Sequence, residues 1–456
     1  MKKEPLVSIY IPCKDYGEYL SNAIDSVVNQ VYTNWELIII NEGSNDNTSK
    51  IARYYQKKYP NQISLIEHNK PIGLQKVANK VLDIAKGKYV VRLDADDWFH
   101  ELALFAMVSK IEQNPKTGII YGNYFYTNED GKILGIESRP QLGKEDLVGH
   151  LPPHGACTLF DKKILINEGG YFEEVDAQDG WDLWYKLFKK VEAISLDLPL
   201  FYYRQHEKSL SKDNNRLLNA RAKIFEKIRN KSNKQTSPSV LAVLPVKESY
   251  PNLKNVPYKT INGRSLIEIA ISNALISDQI NDLIVSSESE TVLNFSKELE
   301  TKKLVPKHQR ILRKDITSRN IPITDFLISA SKHFKNVNGK YPDILVYLSL
   351  HAINRRAEHI DQAINNLIIS ESDSVVSVQE EREPMFNYKE SGLNLINPGR
   401  FKDLSFDKER LYRFNGSIIA SLWNNISKND LFGQKTSFIE MNHNDSIQIK
   451  DNSLFD

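Results

Sequence analysis

Cysteine and long apolar runs are both scarce in this chain. Only two cysteines occur among its 456 residues, Cys13 and Cys157, and they lie far apart. One distant pair does not make a disulfide framework, which favours a reducing compartment. No apolar run reaches the roughly 18 residues that indicate a transmembrane helix. We therefore expect a cytoplasmic protein, and peripheral attachment to the inner face of a membrane stays open.

An excess of charge of one sign is also missing. Lys and Arg total 60, Asp and Glu total 58, and the formal net charge is +2. The basic residues are spread along the chain without forming a block, so the sequence predicts no nucleic-acid partner. The first apolar stretch, Leu6–Ile11, follows Met1-Lys2-Lys3, but it is too short for a signal peptide and meets Pro12. We expect this stretch to be a buried strand.

The stretch Tyr89–Trp98 combines an apolar strand with a sudden group of acids. Asp94, Asp96 and Asp97 fall within four residues directly after the apolar run. Carboxylates this close repel one another unless a cation lies between them, and Mg²⁺ is usually held by one or two carboxylates plus substrate phosphates. The alternative is an exposed turn that caps a helix starting near Phe99, since Asp is a good N-cap residue. The spacing alone leaves both interpretations open.

Strands and helices are predicted to alternate around this stretch. The predicted strands are Leu6–Ile11, Trp35–Ile40 and Ile63–Ile66, with a fourth leading to Asp94, and the predicted helices are Tyr19–Val31, Ile51–Tyr59 and Gly73–Ala85. Such alternation is typical of an α/β fold with βαβ units and a mostly parallel sheet. The loops after Ile11, Ile40 and Leu93 then fall on one edge of the sheet, where open α/β sheets bind ligands. This placement favours a binding site over a capped turn.

A second α/β domain is predicted after residue 239. The segment 229–239 contains no apolar residue, which is a linker composition. Beyond it, Val240–Lys247 repeats the pattern of Val7–Lys14, and apolar strands and helices alternate again. We predict domains at 1–228 and 240–456, joined by a linker at 229–239. The basic helix Asn214–Lys231 is interpreted as a solvated helix that closes the first domain.

An ordered set of motifs extends over residues 5–211. In chain order the motifs are Ile11-Pro12, Tyr16 with Tyr19-Leu20, Ala23–Val27 with Gln30, Glu42–Thr48, Gly73 with Asn79, Arg92–Asp97, Gly169–Tyr171, Asp179–Trp184 and Tyr203–His206. With these motifs, the first domain resembles a family 2 glycosyltransferase of the GT-A fold. The resemblance implies a nucleotide-diphosphate-sugar donor that lies across the three loops.

The resemblance also implies roles for individual residues. Asp179 maps onto the catalytic-base region of the family and would take a proton from the acceptor hydroxyl, with inversion at the anomeric carbon. Asp94 and Asp96 would hold a divalent cation, Mg²⁺ or Mn²⁺, on the diphosphate of the donor. The donor-binding residues that the motifs imply are Pro12, Glu42, Asn79, Arg92, Asp94, Asp96, Asp97, Arg204 and His206.

Some positions depart from the family pattern. Two acids usually precede the Gly-Ser pair of the second loop, whereas here the residues are Asn41 and Glu42. The base motif often reads Glu-Asp, but here it reads Gln178-Asp179, which leaves Asp182 as a competing base. Its place in the Asp-Leu-Trp helix favours a structural role for Asp182. His154, in a loop rich in Pro and Gly, could line the acceptor site, although a structural role is the preferred interpretation.

A second set of motifs spans most of residues 240–450. They are Leu244-Pro245, Lys254-Asn255, Asn262–Ile267, Asp282–Ser286, Asp373–Val378, Tyr412–Ile418 and Phe432–Thr436. With them, the second domain resembles the cytidylyltransferases that make CMP-activated acidic sugars such as sialic acid. The phosphate-binding loop is shortened to Val246–Pro251 without the glycines that let backbone N–H groups approach phosphates. The metal-binding Asp-Ile-Asp of that family reads Gln448-Ile449-Lys450, so we expect a non-catalytic or repurposed domain that binds a sugar, a nucleotide or a partner.

Three hypotheses for function follow. The favoured one is a metal-dependent, inverting glycosyltransferase of cell-surface polysaccharide or lipopolysaccharide synthesis, with a glycan or lipid-linked acceptor. A bifunctional enzyme with an active cytidylyltransferase domain is an alternative, and Gln448 and Lys450 speak against it. A non-enzymatic sugar-binding or nucleotide-binding assembly protein is another, and Asp94, Asp96 and Asp179 speak against it. Homo-oligomer formation stays open.

Overall fold

The computed structural model describes residues 4–139, 141, 154–187, 190–206, 213–231, 238–250, 253–313, 322–381, 383–389, 392–397 and 411–451. The chain divides into two units, which are treated separately below. The first unit comprises residues 1–224 together with 384–409, and the second comprises residues 225–383 together with 410–456. None of the helices in the described ranges has the length and apolar character needed to span a bilayer.

Strands and helices alternate through the first half of the chain. The strands are β1 Val7–Cys13, β2 Trp35–Asn41, β3 Ile63–Glu67, β4 Tyr89–Arg92, β5 Trp98–Phe99, β6 Thr117–Thr127, β7 Ile133–Glu137, β8 Leu159–Asp161 and β9 Glu192–Arg204. The helices are α1 Gly17–Val28, α2 Thr48–Lys58, α3 Leu74–Ile84, α4 Ala103–Gln113, α5 Lys162–Asn167, α6 Asp179–Leu187 and α7 Asn214–Lys231.

The second half of the chain repeats this alternation. Its strands are β10 Val240–Val246, β11 Thr260–Ile261, β12 Arg264–Ser265, β13 Asp282–Ser287, β14 Gln309–Leu312, β15 Ile344–Leu348, β16 Ser374–Glu380, β17 Met385–Lys389, β18 Gly392–Asn397, β19 Tyr412–Leu422 and β20 Thr436–Glu440. Its helices are α8 Leu266–Ile276, α9 Glu290–Thr301, α10 Ile323–Asn338, α11 Ala357–Ser370 and α12 Trp423–Ile426.

The first unit is built on one large sheet. Its strand order is β3-β2-β1-β4-β8-β6-β9-β5, with β7 paired to β6. The pairs β1–β2, β1–β4, β2–β3 and β6–β9 are parallel and carry most of the paired residues, while β8 runs antiparallel between β4 and β6. The predicted α/β class with a mostly parallel sheet is confirmed.

The register of the parallel strands determines which loops meet. Cys13 at the end of β1 pairs with Asn41 at the end of β2, and Tyr10 pairs with Arg92 at the end of β4. The carboxyl ends of β1, β2 and β4 therefore lie on the same edge of the sheet. The prediction that the first, second and fourth strand loops meet at one edge is confirmed.

Two apolar layers hold this sheet, one on each face. Ile9, Ile11 and Leu20 belong to the layer that packs against α1, α2 and α4. Tyr10 and Trp184 belong to the opposite layer, with α3 and α6. Successive residues of β1 enter opposite layers because side chains alternate along a strand. Burying each large apolar side chain contributes roughly 1.5–3 kcal/mol, so the strand positions are firmly held.

The first helix begins earlier than predicted, at Gly17 instead of Tyr19, and ends at Val28 instead of Val31. The Gly17 N–H donates to Asp46 Oδ2 at 2.8 Å, and a Cβ at Gly17 would lie only 1.8 Å from Asn47 Oδ1. The close approach of the loop after β2 therefore requires glycine here. Sequence periodicity does not report such a contact between distant segments.

The second unit has its own sheet of similar construction. Its strand order is β14-β13-β10-β15-β19-β16-β20, and β10 is parallel to both β13 and β15. Apolar residues of β10 enter layers on both faces, for example Leu244 on one and Val243 on the other. The prediction of a second α/β core after residue 239 agrees with this architecture.

Two features differ from the predicted domain limits. Helix α7 reaches Lys231, so residues 229–231 of the predicted linker are helical, while 232–237 lie outside the described residues. The segment 384–409, which the sequence placed in the second domain, falls with the first unit. The physical basis is that β17 and β18 pair with each other and not with the seven-stranded sheet.

Candidate active site

A cleft of about 400 Å³ opens at the edge of the first sheet where β1, β2 and β4 end. Six of the residues selected from the sequence line it: Pro12, Glu42, Arg92, Asp94, Asp96 and Asp179. Three strand-end loops therefore contribute to one cavity, and the start of α6 adds the fourth wall. A concave site with converging polar groups is the usual form of a small-molecule site.

Asp94 and Asp96 place two carboxylates in the wall of this cleft. The pKa of Asp94 is raised to about 6, chiefly by burial and also by the charges of Asp96 and Asp179, while Arg92 opposes the shift. Buried carboxylates that repel each other favour a bound cation. In the described ranges, no group of three or more His, Cys, Asp or Glu side chains converges as a metal site. Two carboxylates completed by substrate phosphates are a donor set that suits Mg²⁺ or Mn²⁺.

Arg204 and His206 lie behind the acidic turn and outside the lining of the cleft, and their contact with the donor stays a prediction. His206 Nε2 lies 2.9 Å from Asp96 Oδ2. Arg204 Nε donates to the Asp96 carbonyl at 2.9 Å, and its backbone N–H donates to Asp97 Oδ1 at 2.9 Å. The Arg204 guanidinium also stacks 4.6 Å above the Trp98 ring. These contacts hold the shape of the turn that presents Asp96.

Asn79 and Asp97, also predicted to bind the donor, are likewise outside the lining of the cleft. Asn79 Nδ2 donates to the Tyr171 carbonyl at 3.0 Å, and Asn79 Oδ1 accepts the Tyr171 N–H at 2.7 Å. Asp97 is only 1% exposed, and burial raises its pKa, followed by the charges of Asp96 and Asp94. Asn79 bonds to the backbone of Tyr171 and Asp97 Oδ1 accepts the Arg204 N–H, while contact of these two residues with the donor stays a prediction.

Arg92 links the two acidic sides of the cleft. Its Nε lies 2.9 Å from Asp94 Oδ1, and its Nη1 lies 2.7 Å from Asp179 Oδ2. The guanidinium is buried, so these ion pairs are poorly screened and hold both carboxylates in place. Asp179 uses only Oδ2 for this pair, and Oδ1 has no hydrogen-bond partner among the described residues. The sequence identified Arg92 as a site residue but could not show that it joins Asp94 to Asp179.

Gly155 packs directly against this ion pair. A Cβ at Gly155 would lie 2.7 Å from Arg92 Nη2 and 2.8 Å from Asp179 Oδ2. The loop is tied to β4, because the Cys157 N–H donates to the Arg92 carbonyl at 2.8 Å. Only the smallest residue leaves room for both charged groups at this position.

Asp182 lies away from the cleft, although it was the competing candidate for the base. Its side chain is 2% exposed and pairs with Lys186 Nζ at 2.5 Å, one helical turn further along α6. Asp179, in contrast, is the first residue of α6 and lines the cleft. The geometry therefore favours Asp179 of the two.

Helix α7 contributes to the cleft, whereas the sequence suggested only a solvated helix. Arg216 Nε pairs with Asp176 Oδ2 at 2.9 Å, and its Nη2 donates to the Asp176 carbonyl. Arg221 Nη2 donates to Gln178 Oε1 at 3.2 Å, and its guanidinium lies 5.2 Å from the Trp181 ring centroid. Both arginines therefore hold the segment that presents Asp179. Their only signal in the sequence was the basic composition of the helix.

This segment contains strained backbone immediately before Asp179. Gln178 has a φ of 61°, in the left-handed region that side chains other than glycine rarely adopt. Such strain persists only where surrounding contacts determine the conformation. The hydrogen bond from Arg221 to the Gln178 side chain is one such contact.

Glu42 lines the cleft, but its carboxylate is already engaged. Oε1 lies 2.6 Å from His68 Nδ1, and Oε2 accepts the N–H groups of Ile72 and Gly73 at 2.9 and 3.0 Å. The side chain is thus held against the loop between β3 and α3. In this geometry Glu42 shapes the cleft wall, and a direct contact to the donor stays a prediction.

Comparison with known proteins assigns a family to part of the first unit. Residues 8–167 match the family model described as glycosyl transferase family 2. An uncharacterized glycosyltransferase of Rickettsia bellii is 31% identical over 219 residues, which are 46% of this chain and 31% of that protein. The poly-beta-1,6-N-acetyl-D-glucosamine synthase of Staphylococcus epidermidis is 31% identical over 181 residues, 38% of this chain and 43% of that protein.

A solved structure is also similar over part of the chain. It is a mannosyltransferase from Pyrobaculum calidifontis in complex with GDP-Man and Mn²⁺, with 18% identity, a TM-score of 0.41, and coverage of 50% of this chain and 64% of that chain. The chain spans less than half the length of the two curated relatives above. The family match falls within the first unit.

Proposed function

We propose that the first unit transfers a sugar from a nucleotide-diphosphate donor to a hydroxyl of a glycan or lipid-linked acceptor, with inversion. The observation that carries this proposal is the arrangement of Asp94, Asp96 and Asp179 in one cleft, joined by Arg92. The family 2 match over residues 8–167 supports the same class of reaction.

The donor side of the proposed site is formed by the loops after β1, β2 and β4. Asp94 and Asp96 are the residues that would hold Mg²⁺ or Mn²⁺ against the donor diphosphate. When bound, that cation neutralises the charge that develops on the leaving diphosphate. Pro12, the penultimate residue of β1, lines the cleft as well, and Glu42 keeps the loop after β3 in place. His206 and Arg204 maintain the turn from behind.

The acceptor side is formed around Asp179. Arg92 holds Oδ2 of this carboxylate, so Oδ1 is the oxygen that accepts the proton of the attacking hydroxyl. As that proton transfers, the hydroxyl oxygen bonds to the anomeric carbon and the bond from this carbon to the diphosphate oxygen breaks. A single in-line displacement inverts the anomeric centre. A positioned base of this kind contributes typically about 10²–10⁴-fold in rate.

The relatives suggest the biological context of the reaction. One curated relative is named as a synthase of poly-beta-1,6-N-acetyl-D-glucosamine, a polysaccharide. Its similarity covers 38% of this chain, so it supports the class of reaction and not the identity of the sugar. We propose a role in the synthesis of a cell-surface polysaccharide or lipopolysaccharide.

The test is a donor screen followed by substitution of the base. UDP-, GDP-, CMP- and dTDP-sugars with Mn²⁺ are screened by thermal shift, because a tight ligand stabilises the fold that it binds. With the donor that stabilises the protein, Asp179→Asn should keep donor binding and lose transfer by about 10²–10⁴-fold. Transfer at the wild-type rate in this variant would exclude Asp179 as the base. Absence of a shift with every nucleotide sugar would contradict the proposed function itself.

For the second unit we propose a role without nucleotidyl transfer. At the position where the resembling family binds a metal, Gln448 accepts a hydrogen bond from Ser349 Oγ at 3.5 Å, and the Ile449 carbonyl lies 2.9 Å from His351 Nδ1. These hydrogen bonds engage Gln448 Oε1 and the Ile449 carbonyl within the protein. The full-length protein incubated with CTP, Mg²⁺ and sialic acid should release no pyrophosphate, and robust release would favour the bifunctional alternative.

A further inference from the structure

His154 occupies a rigid place beside the proposed base. Its carbonyl accepts a hydrogen bond from Thr158 Oγ1 at 2.6 Å. The next residue is Gly155, which packs against the carboxylate of Asp179 and the guanidinium of Arg92. The loop containing His154 is therefore held on the acceptor side of the cleft. The ring of His154 lines the cleft there.

Aromatic rings hold the imidazole on three sides. The ring centroid of His154 lies 5.4 Å from that of Tyr124, 5.5 Å from that of Phe201 and 5.2 Å from that of Tyr203. Edge-to-face contacts at these distances are favourable and restrict the rotation of the ring. The orientation of the imidazole is therefore restricted at its place in the lining of the cleft.

The hydrogen bonds of His154 determine where its proton lies. Nδ1 accepts the Ala156 N–H at 3.2 Å, so the neutral ring carries its proton on Nε2. Burial lowers the pKa of His154 to about 3, and the positive charges of Arg92 and Arg139 act in the same direction. The ring is thus a neutral donor throughout the physiological pH range.

The Nε2 atom of this ring has no hydrogen-bond partner among the described residues. In the part of the chain that the structure describes, Nδ1 and the backbone of His154 have partners, and Nε2 has none. Polar groups in largely buried positions are almost always hydrogen-bonded in the working state. A donor that is fixed and neutral, lies near Asp179 and has no partner within the described ranges indicates a contact with substrate.

We propose that His154 is a substrate-contacting residue that donates its Nε2–H to a hydroxyl or ring oxygen of the acceptor sugar beside Asp179. This inference rests on the proposed glycosyl transfer. It assigns a role to a residue that the sequence had favoured as structural. The contact orients the acceptor, so that the attacking hydroxyl lies close to Asp179 Oδ1. It does not move a proton in the reaction.

Two variants separate the donated hydrogen bond from the packing of the ring. His154→Phe keeps an aromatic ring among Tyr124, Phe201 and Tyr203 but has no N–H. His154→Gln keeps a polar N–H of similar reach. The assay uses the nucleotide sugar selected by thermal shift and p-nitrophenyl glycosides of glucose, galactose and N-acetylglucosamine as acceptors. It measures the KM for acceptor, the KM for donor, and hydrolysis of the donor by water.

His154→Phe should raise the KM for acceptor about tenfold, which corresponds to one lost hydrogen bond. Donor KM and donor hydrolysis should stay at the wild-type values, and His154→Gln should recover most of the acceptor affinity. The matched control is His100→Phe. His100 Nδ1 also accepts the N–H two residues ahead, from Leu102, and its ring stacks on Tyr202, but it does not line the cleft.

The outcomes distinguish this inference from the proposed function. An unchanged acceptor KM in both folded variants would overturn the inference, and so would a change confined to the donor KM. An equal change in His100→Phe would show a general packing effect and would also overturn it. If the wild-type protein transfers no sugar to any of these acceptors or to water, the proposed function fails before His154 is tested. Matching thermal melting of the variants and the wild type shows that each variant is folded.

Discussion

The two units share one architectural device, an acid paired with a basic side chain at the same edge of each sheet. In the first unit, Glu42 follows β2 and pairs with His68 at 2.6 Å. In the second, Glu288 follows β13 and pairs with Arg313 at 3.0 Å. The same backbone bond accompanies each pair, from the His68 N–H to the Asn41 carbonyl and from the Arg313 N–H to the Ser287 carbonyl. A pair present in both units serves loop architecture, which supports a structural role for Glu42.

The two units differ in the residues that follow β4 and β15, the strands that pair with β1 and β10. In the first unit β4 ends in Arg92, and Asp94 and Asp96 follow in the cleft. In the second unit, β15 pairs with β10 as β4 pairs with β1. Ser349 and His351 occupy the positions that correspond to Asp94 and Asp96. Similar sheets can therefore carry different chemistry, because the strand pairing constrains the scaffold while the loop residues remain free to vary.

The groups of the second unit are directed at one another. Ser349 Oγ donates to Gln448 Oε1, and Arg355 Nη1 donates to the carbonyls of Ser349 and Ser417 at 2.7 and 3.1 Å. In the first unit, Asp94 and Asp179 share Arg92 and still face a cavity. The units therefore differ in that the carboxylates of the first unit line a cavity, whereas Ser349, Gln448 and Arg355 of the second unit bond with one another or with nearby backbone.

The largest expected effect on the reaction rate comes from substituting Asp96, one of the acids that distinguish the two units. Asp96→Asn should reduce Mn²⁺-dependent hydrolysis or transfer by about a hundredfold, as expected for the loss of one charged group that stabilises the leaving group. The measurement is the initial rate with the nucleotide sugar selected by thermal shift. The matched control is His351→Asn in the second unit, for which the rate should not change. Equal losses in both variants would remove the functional distinction between the units.

A smaller effect is expected when the ion pair of the cleft is displaced. Gly155→Ala would place a methyl group within 3 Å of both Arg92 and Asp179, according to the contacts at that glycine. A shift of the base by a fraction of an ångström should lower kcat about tenfold, since misplacement by 1 Å can cost about a hundredfold. Gly118→Ala is the control, because its Cβ would meet only Ile164 and Val191. That variant should lose stability but keep kcat, and a full kcat in Gly155→Ala would contradict the tight packing described here.

The contacts of α7 should have an effect of a few-fold. Arg221→Ala removes the hydrogen bond to Gln178 and the stacking on Trp181. We expect a lower kcat with an unchanged dissociation constant for the donor, and partial recovery in Arg221→Lys, because the strained segment before Asp179 would lose one of its supports. Arg53→Ala, which breaks an exposed ion pair with Glu67, is the control. Equal kcat values for Arg221→Ala and the wild type would show that α7 does not support the segment before Asp179 and is only a solvated helix.

The smallest expected effect is on how the stability of the second unit depends on pH. Burial lowers the pKa of His351, whose Nδ1–H donates to the Ile449 carbonyl. Because the folded state keeps His351 neutral, its contribution to stability is full above the unfolded pKa of about 6.5 and is lost as pH falls below that value. His351→Gln should therefore lose less stability than the wild type between pH 7.5 and 5.5. Urea unfolding followed at both pH values measures the difference, and an identical loss would exclude a contribution from His351.

Patterns along the chain were sufficient to predict the two α/β units and to select the acids of the first cleft. Apolar strands ending in Asp94 or Glu42 can be recognised locally, because strand periodicity and abrupt polar termination lie within a few residues. The partners of these acids could not be recognised in the same way. His68 and His206 lie 26 and 110 residues away from Glu42 and Asp96 along the chain.

The sequence by itself predicted the fold class and the edge of the sheet at which the three strand loops meet. It indicated Asp94 and Asp96 as chemical groups by their spacing, and Asp179 through the family resemblance. Only the tertiary structure decided that Arg92 joins the two sides of the cleft and that Arg204 supports the acidic turn from behind. It also decided that His154 faces the cleft. The physical reason is that hydrogen-bond partners and buried charge depend on distances across the sheet, whereas strand and helix patterns depend on neighbours in the chain.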